Sequence, residues 1–180
     1  MFRRIVVPLD GSELAEQALV FAKQMASEQG SELVLLRVVN GVDQTTQAAF
    51  VETKSPGAAE LALEHEHRVA AGYLAGLVQG LGDSGITADW TVRTGDPAGE
   101  IVEYCVSERI ELVVMSTHGR SGLGRWVYGS VADRVLRGGT VPVLLIRAGF
   151  AEKPSARPAA SFPKAVLPIA TPANTSTSTS

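Results

Sequence analysis

Five short runs of apolar, largely β-branched residues recur along the chain, and between successive runs the apolar spacing changes from continuous to helical. The runs are Arg4 to Leu9, Glu32 to Val39, Thr87 to Thr94, Glu111 to Met115 and Val141 to Arg147. Leu33-Val34-Leu35-Leu36 is apolar at consecutive positions, which suits a strand covered by helices on both faces better than one with a wet side. A strictly alternating β-α-β-α-β-α-β-α-β order implies parallel strands joined by right-handed crossovers.

The intervening segments read as helices with recognisable ends. Leu14, Ala18, Phe21, Ala22 and Met25 share one helical face, and Gly30 follows as a stop. Asn40 to Gly57 is polar and reads as a long loop. Leu61 to Leu81 carries Val69, Tyr73, Leu74, Leu77, Val78 and Leu81 at helical spacing, closed by Gly82 and Gly85. Asp96-Pro97 marks a helix start, because the carboxylate caps free amides and proline suits a first turn that needs no N–H. Ile101, Val102, Cys105 and Val106 are expected on that helix's buried side. Ser130 to Arg137 forms a last helix with Val131, Val135 and Leu136 inward.

Five of the nine prolines fall after Arg147, in a segment that ends Thr175-Ser176-Thr177-Ser178-Thr179-Ser180. Such a composition buries too little apolar area to offset its ordering entropy. The expected organisation is therefore one domain over residues 1–148 and a disordered Pro/Ser/Thr-rich tail over 149–180, with Phe162 to Ala170 as a small apolar piece able to dock in extended form. One cysteine, Cys105, excludes an internal disulfide and Cys-based metal clusters, and its apolar helix face reads as core. The net charge of −3, from 16 basic and 19 acidic residues, argues against constitutive nucleic-acid binding. No uncharged run approaches the roughly 20 residues of a membrane helix, and the first apolar stretch is too short for a signal peptide, so a cytoplasmic location is expected.

In open α/β sheets ligands sit beyond the carboxyl ends of the strands, which directs attention to the loops after the first and fourth runs. The first holds Pro8-Leu9-Asp10-Gly11-Ser12. An acidic residue there can accept from ribose hydroxyls, although Asp-Gly-Ser is also ordinary turn and cap chemistry. The second is more unusual, with six of the 18 glycines between Gly119 and Gly139. From Ser116 to Ser130 it combines glycine, hydroxyls, Arg120 and Arg125 directly ahead of a helix. Bare backbone N–H groups and the positive end of a helix suit a phosphate. A Walker-type loop is excluded because this stretch holds no lysine, and the dinucleotide pattern fails where Val127 stands in place of glycine. His65 and His67, two apart on a helix, make a poor metal pair and read as surface residues.

Ser116-Thr117-His118-Gly119, nine residues, then Gly129-Ser130-Val131 resembles the nucleotide loop of the universal stress protein family. Ile5-Val6-Val7-Pro8-Leu9-Asp10-Gly11-Ser12, Thr94-Gly95-Asp96-Pro97 and Val141-Pro142-Val143-Leu144-Leu145-Ile146 agree, so the resemblance spans residues 2 to 147. It implies a Rossmann-like, doubly wound five-stranded parallel sheet of order 3-2-1-4-5 with helices on both faces. In the family's ATP-binding branch Pro8, Asp10 and Val38 would hold adenine and ribose, with Met115 lining the pocket. Gly119, Gly129, Ser130 and Val131 would hold the phosphates, and Arg120 could close on them. Ser116 departs from the family glycine and adds a Cβ where the backbone approaches the nucleotide, which argues for weaker binding.

The resemblance thus implies a stress-response ATP-binding module, with magnesium accompanying the nucleotide. No dedicated base or carboxylate cluster is apparent, so little or no turnover is expected. His118 reads as a structural turn residue or a phosphate contact, and Trp126 and Tyr128 as braces of the glycine loop. Two alternatives stay open: a slow nucleotide hydrolase using Asp10 and His118, and a nucleotide-free homodimeric partner-binding module. The apolar fifth run, Val141 to Ile146, would be an exposed sheet edge in the implied order, and pairing with the same strand of a second copy removes that liability.

Overall fold

The computed structural model describes residues 1–40, 57–117 and 129–147. Five strands, β1 (Arg4–Pro8), β2 (Glu32–Val39), β3 (Ala88–Thr94), β4 (Leu112–Thr117) and β5 (Val143–Arg147), alternate with α1 (Glu13–Gln29), α2 (Ala58–Gly82), α3 (Pro97–Ser107) and α4 (Ser130–Gly138). The sheet runs β3-β2-β1-β4-β5 with every neighbouring pair parallel, as expected. Val6 stands opposite Val34 on one side and Val113 on the other, so β1 is central.

The pleat divides the apolar residues into two cores. Ile5, Val7, Leu33, Leu35, Leu112 and Val114 pack with residues of α1 and α2 on one face. Val6, Val34, Leu36, Val113 and Met115 pack with α3 and α4 on the other. Both faces of the central strands are covered, which explains why these runs are apolar without alternating.

Each helix buries a narrower stripe than its apolar content suggests. In α1 the line against the sheet is Ala15, Ala18, Ala22 and Ala26, while Leu14, Phe21 and Met25 are half-buried beside it. Alanine lets the helix axis approach the sheet, and the larger side chains splay around the contact. In α3, Ala98, Ile101, Tyr104 and Cys105 are buried, and Val106, expected inward, is 61% exposed. In α4 the buried residues are Ala132 and Val135, with Leu136 44% exposed. Both corrections share a cause: a residue next in sequence to the centre of the stripe is rotated about 100° from it and leaves a flat sheet surface. Val69 of α2 is exposed for the same reason, whereas Ala70 and Leu74 lie in the core.

The ends follow local chemistry. Ser12 caps α1 by accepting from the Ala15 N–H, and Gly30 ends it in the left-handed region at φ 68°. Asp96 caps α3 through the Gly99 N–H, and Pro97 occupies the first turn. The segment from 149 onward, including Phe162 to Ala170, lies outside the described residues, as does most of the polar stretch after Asn40. Among the described residues no helix is long and apolar enough to cross a membrane.

Leu35 is fully buried at the centre of β2, whereas Val20 is exposed on α1. Leu35→Ala should cost about 2–5 kcal/mol, and Val20→Ala should stay within about 0.5 kcal/mol. Urea denaturation midpoints of the two variants measure the contrast.

Candidate functional site

Strand order changes direction between β1 and β4. The crossover from β1 through α1 leads to β2 on one side, and that from β4 through α4 leads to β5 on the other. The two helices cover opposite faces, so their starts part above the carboxyl ends of β1 and β4. A cavity of about 330 Å³ occupies this gap.

Its lining has three chemical characters. Leu36, Val38 and Met115 from the strands, with Ile101 from α3, make an apolar floor and wall. Pro8, Leu9, Asp10 and Ser12 form one rim, and Gly129, Ser130, Val131 and Ala132 form the opposite one. The structure therefore brings Pro8, Asp10, Val38, Met115, Ser116, Gly129, Ser130 and Val131 around one cleft. Gly119 and Arg120, like His118, Arg125, Trp126 and Tyr128, lie outside the described residues. Pro97 and Ile101 were not singled out for the site, because a helix start and a core position are what their local sequence shows.

The two readings of Asp10-Gly11-Ser12 coexist. Ser12 donates to Asp10 Oδ1 from its backbone N–H at 2.9 Å and from Oγ at 2.6 Å, and the same Oγ accepts from the Ala15 N–H at 3.1 Å. The cap of α1 thus also orients the carboxylate on the rim. Gly11 adopts φ 83°, a left-handed conformation that favours glycine, and a Cβ there would also have to displace the end of the Arg37 side chain, whose Nη1 would lie 2.6 Å away. Arg37 in turn sits 5.6 Å from the centroid of the Tyr73 ring, and Tyr73 donates to Glu16 Oε1 at 2.8 Å. Burial, helped by the Glu16 carboxylate, holds the Tyr73 phenol well above its ordinary range.

The opposite rim is built differently. Gly129 stands at the N-cap of α4 with φ −54° and ψ 149°, and as a glycine it offers the helix no capping side chain of its own. The start of α4 therefore borders the cleft with an N-cap residue that lacks the side-chain acceptor Ser12 gives α1 and Asp96 gives α3. Asp96 is further held by Arg134 of α4, whose guanidinium and then the Gly99 N–H keep this carboxyl below the usual carboxylate range. Among the described residues no group of three or more His, Cys, Asp or Glu side chains could hold a metal ion. His67 is half-buried rather than fully on the surface, because its Nε2 pairs with Thr94 Oγ1.

An open parallel sheet wound in both directions from its centre, with a cleft where the directions diverge, defines a Rossmann-like α/β protein whose crevice lies at the switch point. The family model of the universal stress protein family matches residues 1–147, and the chain belongs to that family. It is 31% identical over 147 residues to universal stress protein MJ0531 of Methanocaldococcus jannaschii, covering 82% of this chain and 83% of that one. The solved structure of MJ0577, from the same organism, superposes with a TM-score of 0.66 at 25% identity, over 82% of this chain and 96% of that one. A universal stress protein of Archaeoglobus fulgidus, solved in complex with dAMP, shares the fold at TM-score 0.54 and 19% identity, over 81% and 98% of the two chains. Another family member, 21% identical with TM-score 0.53 over 81% and 97% of the chains, was solved in complex with cAMP.

Cys105 lies one turn beyond Ile101 on α3, 3% exposed, and burial pushes its thiol up to about 11. At pH 8 its native-state reaction with a disulfide reagent should be at least on the order of 100-fold slower than that of an unfolded thiol. Absorbance-monitored modification with and without urea measures the ratio.

Proposed function

We propose that this chain is an adenine-nucleotide-binding regulatory module of the stress response, acting in the cytoplasm and taking ATP with magnesium at the cleft between β1 and β4. The observation that carries the reading is the start of α4 at Gly129, an N-cap residue without a side chain, which sets the first turn of the helix on the cleft rim opposite the Asp10 loop. A helix start of this kind carries roughly half a positive charge and favours an anion. Leu36, Val38 and Met115 offer a flat apolar surface suited to a purine, and Pro8 stiffens the backbone beside it. The orientation that Ser12 gives Asp10 suits acceptance from ribose hydroxyls. A volume of about 330 Å³ is that of a small-ligand site. The complexes of family members with dAMP and cAMP support the adenine class of ligand.

In this reading the residues bind and orient rather than transform. Gly129, Ser130 and Val131 seat the phosphates, the family resemblance adds Gly119 to that seat and Arg120 as a cation that would close on it, and magnesium would accompany the nucleotide. Little or no turnover follows, since the described rim residues supply orientation and charge but no paired acid and base. Ser116 weakens the site relative to a member with glycine there. The 1–148 unit would act as the binding domain, with the 149–180 segment as an appended tail.

The reading includes a homodimer. β5 lies at the sheet edge and pairs with β4, and Leu144 is exposed on it. Joining this edge to the same strand of a second copy would cover it.

Gly129 has backbone angles open to any L-residue, so Gly129→Val changes the space at the rim and not the turn. Calorimetry with ATP and magnesium should show binding by the wild type and at least about a tenfold loss in Gly129→Val at unchanged Tm. A wild type with neither heat of binding nor thermal shift at millimolar ATP overturns the reading. Leu144→Lys should convert the dimer to a monomer in sedimentation velocity.

A further inference from the structure

Arg134, one turn into α4, lays its guanidinium along the Asp96 carboxylate, with Nη1 at 2.7 Å from Oδ1 and Nη2 at 2.7 Å from Oδ2. The same carboxylate accepts from the Gly99 N–H at 2.9 Å and caps α3. One side chain thus joins the first turn of α3 to the early turns of α4. Those are the segments that place Pro97 and Ile101 on one side of the cleft and Ser130 and Val131 on another.

The neighbouring charges are otherwise engaged. Arg137 Nε donates to Asp133 Oδ2 at 2.9 Å within α4, and Arg93 Nε donates to Glu100 Oε2 at 2.9 Å within the β3–α3 unit. Among the described residues, the ion pair that joins α3 to α4 is therefore Asp96 with Arg134. It matters because α4 has nine residues and a glycine at its N-cap, and a helix this short holds its place through tertiary contacts. Ala132 and Val135 are its buried residues, in the core shared with α3. A planar two-point bond adds a directional constraint on how α4 sits against α3. The pair is solvent-exposed on both sides, so it contributes little to overall stability.

We propose that Asp96 and Arg134 are a positioning pair for the cleft, holding the amides of Ser130, Val131 and Ala132 at a set distance from α3 so that the anion seat exists before a ligand arrives. The proposal rests on the nucleotide reading above. It assigns the Thr94-Gly95-Asp96-Pro97 motif a role in phosphate affinity without contact to the nucleotide.

Two variants test it: Arg134→Met, which removes the fork, and Asp96→Asn, which keeps a cap acceptor for Gly99 and loses the charge. In the free protein, amide hydrogen exchange at Asp133, whose N–H bonds Gly129 O and closes the first turn of α4, and at the helical amides that follow it should quicken several-fold in both variants, with Tm nearly unchanged. ATP affinity should fall about tenfold while adenosine, which lacks phosphates, binds as before. Arg134→Lys, reaching one carboxylate oxygen, should lie between. Unchanged exchange at these amides with an unchanged ratio of ATP to adenosine affinity overturns the proposal. A wild type that binds neither ATP nor adenosine overturns instead the reading on which it rests.

Discussion

The parallel pairing of β1 with both β2 and β4 is the constraint from which the cleft follows. Ile5, Val6 and Val7 have no solvent exposure, because helices cover both faces of that strand. Each such side chain contributes on the order of 1.5–3 kcal/mol on burial, so the central position of β1 is strongly specified. Once β1 is central and every strand parallel, right-handed crossovers must leave it toward β2 and leave β4 toward β5 in opposite directions. The parting of α1 from α4 then leaves the cavity as a geometric consequence. A core-packing requirement thereby creates the opening.

What distinguishes the two rims is how each helix start is satisfied. Ser12 and Asp96 supply side-chain acceptors to α1 and α3, and in both cases the acceptor is itself held: Ser12 Oγ donates to Asp10, and Asp96 receives Arg134. Gly129 supplies none to α4. The field of a helix start decays within its first turn, so it acts on whatever stands at that rim and little beyond. An apolar floor between an oriented carboxylate and a positive helix end has room for a ligand with a polar end, a flat middle and an anionic end.

The strands and the turn chemistry of the rim were legible because they depend on local pattern, whereas the strand order came through the family resemblance. Continuous apolar runs mark buried parallel strands, and glycine with hydroxyls beside a helix start marks a turn near an anion. Val38 entered through family resemblance, since nothing in Arg37-Val38-Val39 distinguishes a strand end that lines a cleft. Helix faces were harder: Val106 and Leu136 are apolar and next to core positions, and one residue of rotation carries them into solvent while Tyr104 turns in. Pairs made by topology were not legible at all. Asp96 and Arg134 are 38 residues apart, and Arg37 meets the Gly11 turn from a neighbouring strand. Such contacts appear only when register and crossover direction are known.

Register also bears on Ser116, the departure from the family's glycine. Ser116 follows Met115 on β4 and stands opposite Ile146 in the pairing with β5. Met115 belongs to the core shared with α3 and α4, and Val114 to the one shared with α1. Alternation along the strand therefore directs the Ser116 side chain to the α1 side of the sheet, away from the side on which α4 packs. In the proposed site the added bulk then falls nearer the Asp10 rim than the phosphate seat. Its cost would be borne by the ribose end of a nucleotide, while the amides at the start of α4 keep their reach.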